Sequence, residues 1–331
     1  MNDRNASSAP FQKRKGERFF MMRSLSSAVA GLRSHQTRMD VIGNNIANVN
    51  TFGFKSSRTT FADVFYQTIS AGRQPGPGSG GTNPTQIGYG SAVRTIDVMM
   101  TQSGMAATGR PMDVYVAGEG FLVVQDSEGN RMYTRLGVLG FDSEGQLVDH
   151  TGNLVLGWPG GTDANGQPIG AMSPIAIPDE GFTFESGRSI ASIFDSIRDL
   201  TIGPRGEILG TIIDPGVPGD PTATPPVQAI PPEPHVIQIG TLALATFRNP
   251  FGLSQNGQSY FVEAPNSGPP TYNAPGNDGT GNLVSGSLEM SNVEVAREFT
   301  DMIITQRGFQ ANTRIITVSD EMLNELVNMR R

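Results

Sequence analysis

The 331-residue sequence contains no cysteine, which excludes disulfide bonds, thiolate catalysis and cysteine-ligated zinc together. Its three histidines, His35, His150 and His235, are far apart and lie outside any metal-ligand motif. No glycine-rich stretch is followed by Lys and Ser or Thr, so the sequence has no P-loop. We therefore expect a protein that is not an enzyme, with no catalytic residue, no metal, no cofactor and no small-molecule substrate.

Basic residues are scarce as well. The 24 Lys and Arg are outnumbered by 31 Asp and Glu, and the formal net charge is -7. An acidic chain is poorly suited to hold a phosphate backbone, so we expect no nucleic-acid partner. No run of about 18 apolar residues occurs, and no transmembrane helix is predicted.

Glycine and proline are abundant, with 41 and 23 residues, and this composition favours short strands separated by turns. Residues 1–20 are polar, show no periodic pattern and lack the features of a cleaved secretory signal. We interpret them as a disordered leader or as a mis-assigned start, with the true start at Met21 or Met22.

Apolar residues recur every seven positions near both ends of the chain, which is typical of helices with one apolar stripe. Ser291 and Glu294 have the spacing of a capping box, which predicts that the C-terminal helix begins near Ser291. Each stripe needs a partner, either the other helix or a neighbouring molecule. The N-terminal rows are Leu25, Leu32, Met39 and Ile46, and Ala28, His35, Ile42 and Val49; the C-terminal row is Val295, Met302, Phe309, Ile316 and Leu323, widened by Phe299, Ile303, Leu326 and Val327.

The middle of the chain alternates between short apolar segments and turn residues, which indicates strands. The segment Asp113–Val124 is read as two strands broken at Gly118–Gly120. The pattern predicts a mainly β fold, with a short-strand β-domain of sandwich or barrel type and terminal α-helices that form a coiled-coil-like helical domain. The helical domain and its connecting arm are predicted at 21–71 and 286–331, and the β-rich domain at 72–285. Long loops are expected at Pro75–Gly81, Pro215–Pro234 and Pro265–Gly281.

Three segments of the sequence resemble signatures of the flagellar rod and hook family, and they occur in the order found there. Met22–Arg58 is similar to the N-terminal signature, most specifically through Asn44-Asn45-x-Ala47-Asn48 and Thr51-x-Gly53-Phe54-Lys55. Gly109–Val124 with Tyr133–Val148 resembles the family's β-domain, and Gly286–Arg331 its C-terminal signature.

The resemblance implies a tube of identical subunits, with the terminal helices as an inner layer and the β-domain outside. It also implies export to the cell exterior through the flagellar secretion channel, and a location in the hook–basal body. The implied partners are further copies of the chain, the rod, hook-cap and hook–filament junction proteins, and the export apparatus. Open-ended contacts between identical subunits generate a helical filament.

Within the family, Arg297–Leu323 is most similar to the hook members, which implies a flexible tube that joins the rod to the filament and transmits torque. The chain is short for a hook member with a large outer domain, so a distal rod subunit is the alternative. A secreted adhesin is a more distant one.

Subunit-interface residues are expected along the helical rows and in the asparagine cluster. The alternative for the asparagines is that their amides cap helix carbonyls. Hinges are expected at Gly53 and Gly286. The candidate interface residues are Leu25, Leu32, Met39, Ile42, Asn44, Asn45, Ile46, Asn48, Val295, Phe299, Met302, Gln306, Phe309, Ile316 and Leu323.

Overall fold

The computed structural model describes residues 9–161, 163, 168–178, 182–183, 189–190, 197–213 and 234–329. This part of the chain is mainly β, with helix α1 at Ala9–Ala47 and helix α2 at Val295–Asn328. No helix in these ranges combines the length and the hydropathy that a membrane span requires. The predicted loop Pro215–Pro234 lies outside the described residues, apart from Pro234 itself.

The strands are short, as the turn-rich composition predicts. In chain order they are β1 Ser57–Asp63, β2 Tyr66–Ser70, β3 Thr85–Gly88, β4 Ser91–Val98, β5 Met105–Ala107, β6 Val114–Ala117, β7 Phe121–Gln125, β8 Arg131–Thr134, β9 Leu139–Phe141, β10 Leu147–Asp149, β11 Leu154–Trp158, β12 Ser173–Pro174, β13 Phe182–Thr183, β14 Ser189–Ile190, β15 Ile197–Ile202, β16 Glu207–Ile213, β17 Pro234–Leu242, β18 Leu244–Thr246, β19 Ser254–Gln255, β20 Tyr260–Val262, β21 Thr271–Asn273, β22 Asn282–Ser285 and β23 Ser287–Glu289.

The chain divides into two compact units. The helical unit comprises α1, Ser56–Met99 and the residues from Val293 onward, and the β unit comprises Asn50–Lys55 and Met100–Asn292. These bounds differ from the predicted ones at residues 50–55, 72–99 and 286–292. Residues 72–99 remain with the helices because β3 and β4 pair with β2 and β1. Helix α1 begins at Ala9, within the segment interpreted as a leader or mis-assigned start, and that interpretation stays a prediction.

In the helical unit, β1 and β4 form an antiparallel ladder with a bulge between Thr60 and Phe61. The ladder continues outward as the exposed hairpin β2–β3, whose turn contains the predicted loop Pro75–Gly81. The hydroxyl of Ser34 on α1 donates to the backbone carbonyl of Ser91 at 3.1 Å, which fixes α1 against β4.

The β unit is built around one branched, mostly antiparallel sheet. Its main path runs β15-β16-β17-β11-β7-β8-β20-β19, with β9, β10, β12, β18 and β21 attached to it. The described strands do not close on themselves, so the barrel alternative is wrong for this part of the chain. The apolar core consists of inward-facing strand residues, among them Val116, Leu122, Leu147, Ile208, Leu242 and Leu244.

Several local predictions can be compared directly with the strands. The break at Gly118–Gly120 is confirmed, because β6 ends at Ala117 and β7 begins at Phe121. The predicted loop Pro265–Gly281 is wrong in part, because β21 lies within it and pairs with β18.

The predicted start of the C-terminal helix is wrong, because α2 begins at Val295 after Glu294, and no side chain caps it. Residues 291 and 292 are instead held by side-chain bonds within the β unit. The Ser103 hydroxyl donates to the carbonyl of Ser291 at 2.9 Å, and the Asn292 amide donates to the Thr101 hydroxyl at 3.0 Å.

Candidate assembly surface

The two terminal helices pack against each other in antiparallel register, through small and polar residues. A Cβ placed on Gly31 would lie 2.7 Å from the side-chain nitrogen of Asn312, and a Cβ on Gly308 would lie 2.7 Å from the ring of His35. Each helix therefore offers a glycine that receives a side chain of the other helix. A close approach of two helices needs small residues at the contact, and these glycines provide it.

Charged and amide side chains also take part in this contact between α1 and α2. We call the whole contact, including the two glycines and the side chains they receive, the polar seam. Arg38 forms an ion pair with Asp301 at 3.1 Å, and the side-chain amide of Asn45 donates to Glu298 at 3.2 Å. Thr305 and Ser319 are buried on α2, where their hydroxyls donate to the carbonyls of Asp301 and Ile315 within the helix.

His35 lies within the polar seam beside an aromatic ring. Its imidazole centroid is 6.2 Å from that of Phe61 on β1, and the Arg38 guanidinium lies over the same Phe61 ring at 5.8 Å. The Nδ1 atom is buried and has no hydrogen-bond partner among the described groups. Burial, and then the positive charge of Arg38, lower the pKa of His35, so the neutral ring fits this position best.

The three asparagines of the family signature have different roles in the structure. The Asn45 side chain is buried, and it accepts from the backbone N–H of Ser57 at 3.0 Å and donates to its carbonyl at 2.9 Å. This pair of bonds fixes the start of β1 to the end of α1. The Asn48 amide instead donates to the carbonyl and side-chain oxygens of Asn44, at 2.9 and 3.1 Å. Asn48 thus satisfies a late carbonyl of α1, a local role of the kind that capping predicts.

The apolar side chains of α2 remain largely uncovered within the described part of the chain. Ile303 and Ile304 are 53% and 56% exposed, and Val318 is 51% exposed. Large exposed apolar areas on a soluble chain mark sites of association. We define the apolar surface of α2 as Phe299, Ile303, Ile304, Ile315, Val318, Met322 and Leu326, all of which are exposed.

The predicted interface residues fall into three groups by burial. Ile42 and Asn45 are buried inside the helical unit. The half-buried residues are Leu25, Leu32, Met39, Ile46, Asn48, Met302, Phe309 and Ile316. The exposed residues are Asn44, Val295, Phe299, Gln306 and Leu323. Their contact with other subunits stays a prediction.

The two glycines predicted as hinges have left-handed backbones, with φ values of +70° at Gly53 and +72° at Gly286. Both donate backbone hydrogen bonds of 2.8 Å, Gly53 to the carbonyl of Glu289 and Gly286 to that of Asp113. The left-handed conformation alone explains why glycine stands at these positions. Hinge motion at either glycine stays a prediction.

A buried ionic cluster lies in the β unit, and sequence reasoning did not identify it. Lys55 and Glu289 are 1% and 0% exposed, and the Lys55 ammonium lies 2.7 Å from the Glu289 carboxylate. Arg135 lies 3.6 Å from the other carboxylate oxygen and donates to the carbonyl of Gly118 at 2.9 Å. Burial lowers the pKa of both Lys55 and Arg135, against the opposing effect of Glu289.

Backbone bonds connect this cluster to the chain around it. Lys55 also donates to the carbonyl of Thr101 at 2.8 Å, and the N–H of Ser103 donates to the Glu289 carboxylate at 3.1 Å. Each cluster residue lies in one of the three segments that carry the family resemblance. Because the three residues are far apart in the sequence, no local pattern indicates that they contact one another. The available signal was that each is a charged residue within an otherwise strand-like motif.

Polar groups elsewhere in the β unit have structural roles. The described residues contain no group of three or more His, Cys, Asp or Glu that could hold a metal ion. The Asp126 carboxylate accepts from the N–H of Ser127 at 2.7 Å in a tight turn between β7 and β8. The ring of His150 stacks on Tyr260 at a centroid distance of 5.9 Å.

Three family models match the chain along its length. "Flagella basal body rod protein" matches residues 25–55, "Flagellar hook protein FlgE/F/G D1 domain" matches 115–210, and "Flagellar basal body rod FlgEFG protein C-terminal" matches 284–329. The first match ends at the cluster residue Lys55, the second contains Arg135, and the third contains Glu289 and all of α2.

Full-length relatives agree with these matches. The chain is 40% identical over 312 residues to the flagellar basal-body rod protein FlgG of Bacillus subtilis, covering 94% of this chain and 100% of the relative. It is 30% identical to the flagellar hook protein FlgE of Borreliella burgdorferi over 443 aligned positions, with the same two coverages. A FlgG rod protein of Buchnera aphidicola is 34% identical, covering 92% of this chain and 99% of the relative. The chain therefore belongs to the flagellar rod and hook family, whose members are structural parts of the hook–basal body and serve bacterial motility.

Proposed function

We propose that this chain is a distal rod subunit that polymerises with copies of itself into a straight tube of the flagellar axis, with a structural and not a catalytic role. The observation that carries the proposal is that the apolar surface of α2 is exposed, whereas the β unit buries its apolar residues in a core of its own. A helix that leaves Ile304 and Val318 in water gains by association, because burial removes apolar area from contact with water.

The division of α2 into two kinds of surface supports polymerisation. The polar seam holds α1 inside the same chain, so the apolar surface remains free for another subunit. A contact between different surfaces of identical chains gives an open helical filament when its rotation does not close into a ring. The implied neighbours along the axis are other rod and hook proteins, which the family membership suggests by analogy.

The choice of rod over hook rests on the lengths of the relatives. The alignment with B. subtilis FlgG spans 312 positions and includes all of that protein. The alignment with B. burgdorferi FlgE needs 443 positions for a chain of 331 residues, so the hook relative contains a long region without counterpart here. We therefore propose the rod first and the hook second, which reverses the order expected from the C-terminal motif. The hook remains the second candidate, and no observation favours an adhesin.

Polymers of the unmutated chain provide the test. Purified protein is concentrated until it assembles, and the products are imaged by electron microscopy. Straight, rigid tubes are expected of a rod subunit, whereas curved or bendable tubes would transfer the assignment to the hook. Failure to polymerise, together with failure to restore motility to strains lacking either FlgG or FlgE, would contradict both assignments.

A further inference from the structure

We infer that Lys55, Glu289 and Arg135 form a clamp that holds together the segments through which the chain enters and leaves the β unit, and that mechanical load on α1 and α2 reaches the β unit through this clamp. The inference that the clamp transmits load rests on the proposed function. The inference that it holds the segments together concerns the single chain and is tested separately.

The course of the chain supports the clamp. The backbone passes between the two units four times, at residues 49/50, 55/56, 99/100 and 292/293. Each passage lies within three residues of a group bonded in the clamp, namely Gly53, Lys55, Thr101 and Glu289. Force on either helix is carried into the β unit along these covalent segments, so the bonds between the segments oppose their separation.

The bonds form a closed set around Glu289. Its carboxylate binds Lys55 and the N–H of Ser103, and its backbone carbonyl accepts from the N–H of Gly53 at 2.8 Å. Next to it, the N–H of Met290 donates to the carbonyl of Gly104 at 2.9 Å. One residue therefore joins the segment after α1, the segment after β4 and the segment before α2.

The charges argue against a role in stability alone. Two buried cations face one carboxylate, and the buried Arg135 Nε and Glu289 Oε2 atoms have no hydrogen-bond partner in the described part of the chain. Buried ion pairs rarely stabilise a fold more than apolar residues of similar size. They do require one geometry, and a fixed geometry is what segments under load need.

The charge balance also provides a selective variant. Lys55→Met keeps most of the apolar side-chain volume and leaves Arg135 and Glu289 as a balanced pair. It removes the bonds from position 55 to Glu289 and to the carbonyl of Thr101. The matched control is Arg248→Met, which removes an exposed basic group from the same unit.

Amide hydrogen exchange on the full-length monomer tests the clamp, with the thermal midpoint of the β unit measured in parallel. In Lys55→Met we expect exchange at residues 51–55 and 100–104 to accelerate at least about tenfold, with little change in the β7, β8 and β11 amides or in the midpoint. Arg248→Met should leave all of these values near those of the unmutated chain. Unchanged exchange, or a uniform acceleration across the β unit with a lowered midpoint, would overturn the clamp.

The stiffness of polymers tests whether load passes through the clamp. We expect Lys55→Met tubes to bend or twist more easily than tubes of the unmutated chain and of Arg248→Met, as measured by persistence length on micrographs. Equal stiffness would refute load transfer through the clamp. If the unmutated chain itself does not polymerise, the proposed function fails, while the exchange measurement still decides whether the clamp holds its segments.

Discussion

The helical unit and the β unit bury very different kinds of side chain. Among the buried apolar residues of the described chain, only Ala28 and Ile42 belong to the helical unit, and the rest form the interior of the β unit. The helical unit instead buries Ser34, Asn45, Thr305 and Ser319 and exposes the apolar residues of α2. The β unit thus buries its apolar residues within a single chain. The helical unit instead has a polar interior that fixes the register of its two helices and an apolar exterior that is suited to contact with another subunit.

The largest effect should come from a charge on the apolar surface of α2. Phe299 is 50% exposed, so Phe299→Asp leaves the fold of the monomer intact. Burying that carboxylate at a subunit contact costs several kcal/mol unless it is paired. We expect complete loss of polymer in sedimentation assays and loss of motility in cells, with an unchanged thermal transition of the β unit.

The neighbouring Thr300→Asp is the matched control, because Thr300 is exposed and polar. It should assemble at near-normal yield. Normal polymerisation of Phe299→Asp would show that the apolar surface of α2 takes no part in assembly.

Asn45→Ala should have the next largest effect, and it acts on the monomer. It leaves the N–H and carbonyl of Ser57 without their bonds to Asn45, and each such buried group costs about 1–3 kcal/mol. We expect α1 to lose protection from hydrogen exchange. Asn44→Ala, at an exposed position, should change stability by about 0.5 kcal/mol or less. Equal effects of the two substitutions would contradict the separate roles assigned to these asparagines.

A pair of glycine substitutions tests the polar seam. Gly308→Ala forces a methyl group against the His35 ring and should destabilise the helix pair by about 1–3 kcal/mol. Gly43→Ala meets no atom within 4 Å and should stabilise α1 by about 0.5–1 kcal/mol. The opposite signs are measured by denaturant titration with helical circular dichroism. Stabilisation by both would mean that Gly308 does not contact His35 and that the helices do not pair in this register.

The smallest effect should be a pH dependence confined to the helical unit. The pKa of His35 is lowered from 6.5 in the folded chain, so the separated helices bind a proton more readily than the paired ones do. The stability of the pair should be complete above about pH 6.5 and should decline as the pH falls below that value. His35→Gln should flatten this profile, and circular dichroism between pH 5 and 8 measures it; an identical slope in both proteins would refute the assignment to His35.

Elements with local signals were predictable, but the contacts between distant residues were not. The alternation in Asp113–Val124 and its central glycines predicted two strands correctly, because both signals act within a few residues. The heptad rows predicted two helices and an apolar contact, whereas the observed contact uses Gly31, Gly308 and their polar neighbours. Periodicity indicates which residues avoid water. It does not indicate which faces of two helices approach each other most closely.

The clamp and the start of α2 were missed for a related reason. Glu289 and Lys55 are 234 positions apart, and neither residue differs from a surface charge when considered alone. The capping-box spacing at Ser291 predicted a helix that tertiary bonds from Thr101 and Ser103 prevent from starting there. Local propensity was overridden in both places by partners from another part of the chain.

The antiparallel pairing of α1 with α2 has a consequence for how a copy is completed. Asn45 and Glu298 are 253 positions apart, so the polar seam joins a segment made early in synthesis to one made late. A chain interrupted before α2 contains neither Gly308 nor Asn312, and an interruption before residue 289 removes the centre of the clamp as well. An unfinished copy therefore lacks both the partner of α1 and the apolar surface of α2. Both the helix pair and the surface for association therefore require a finished chain.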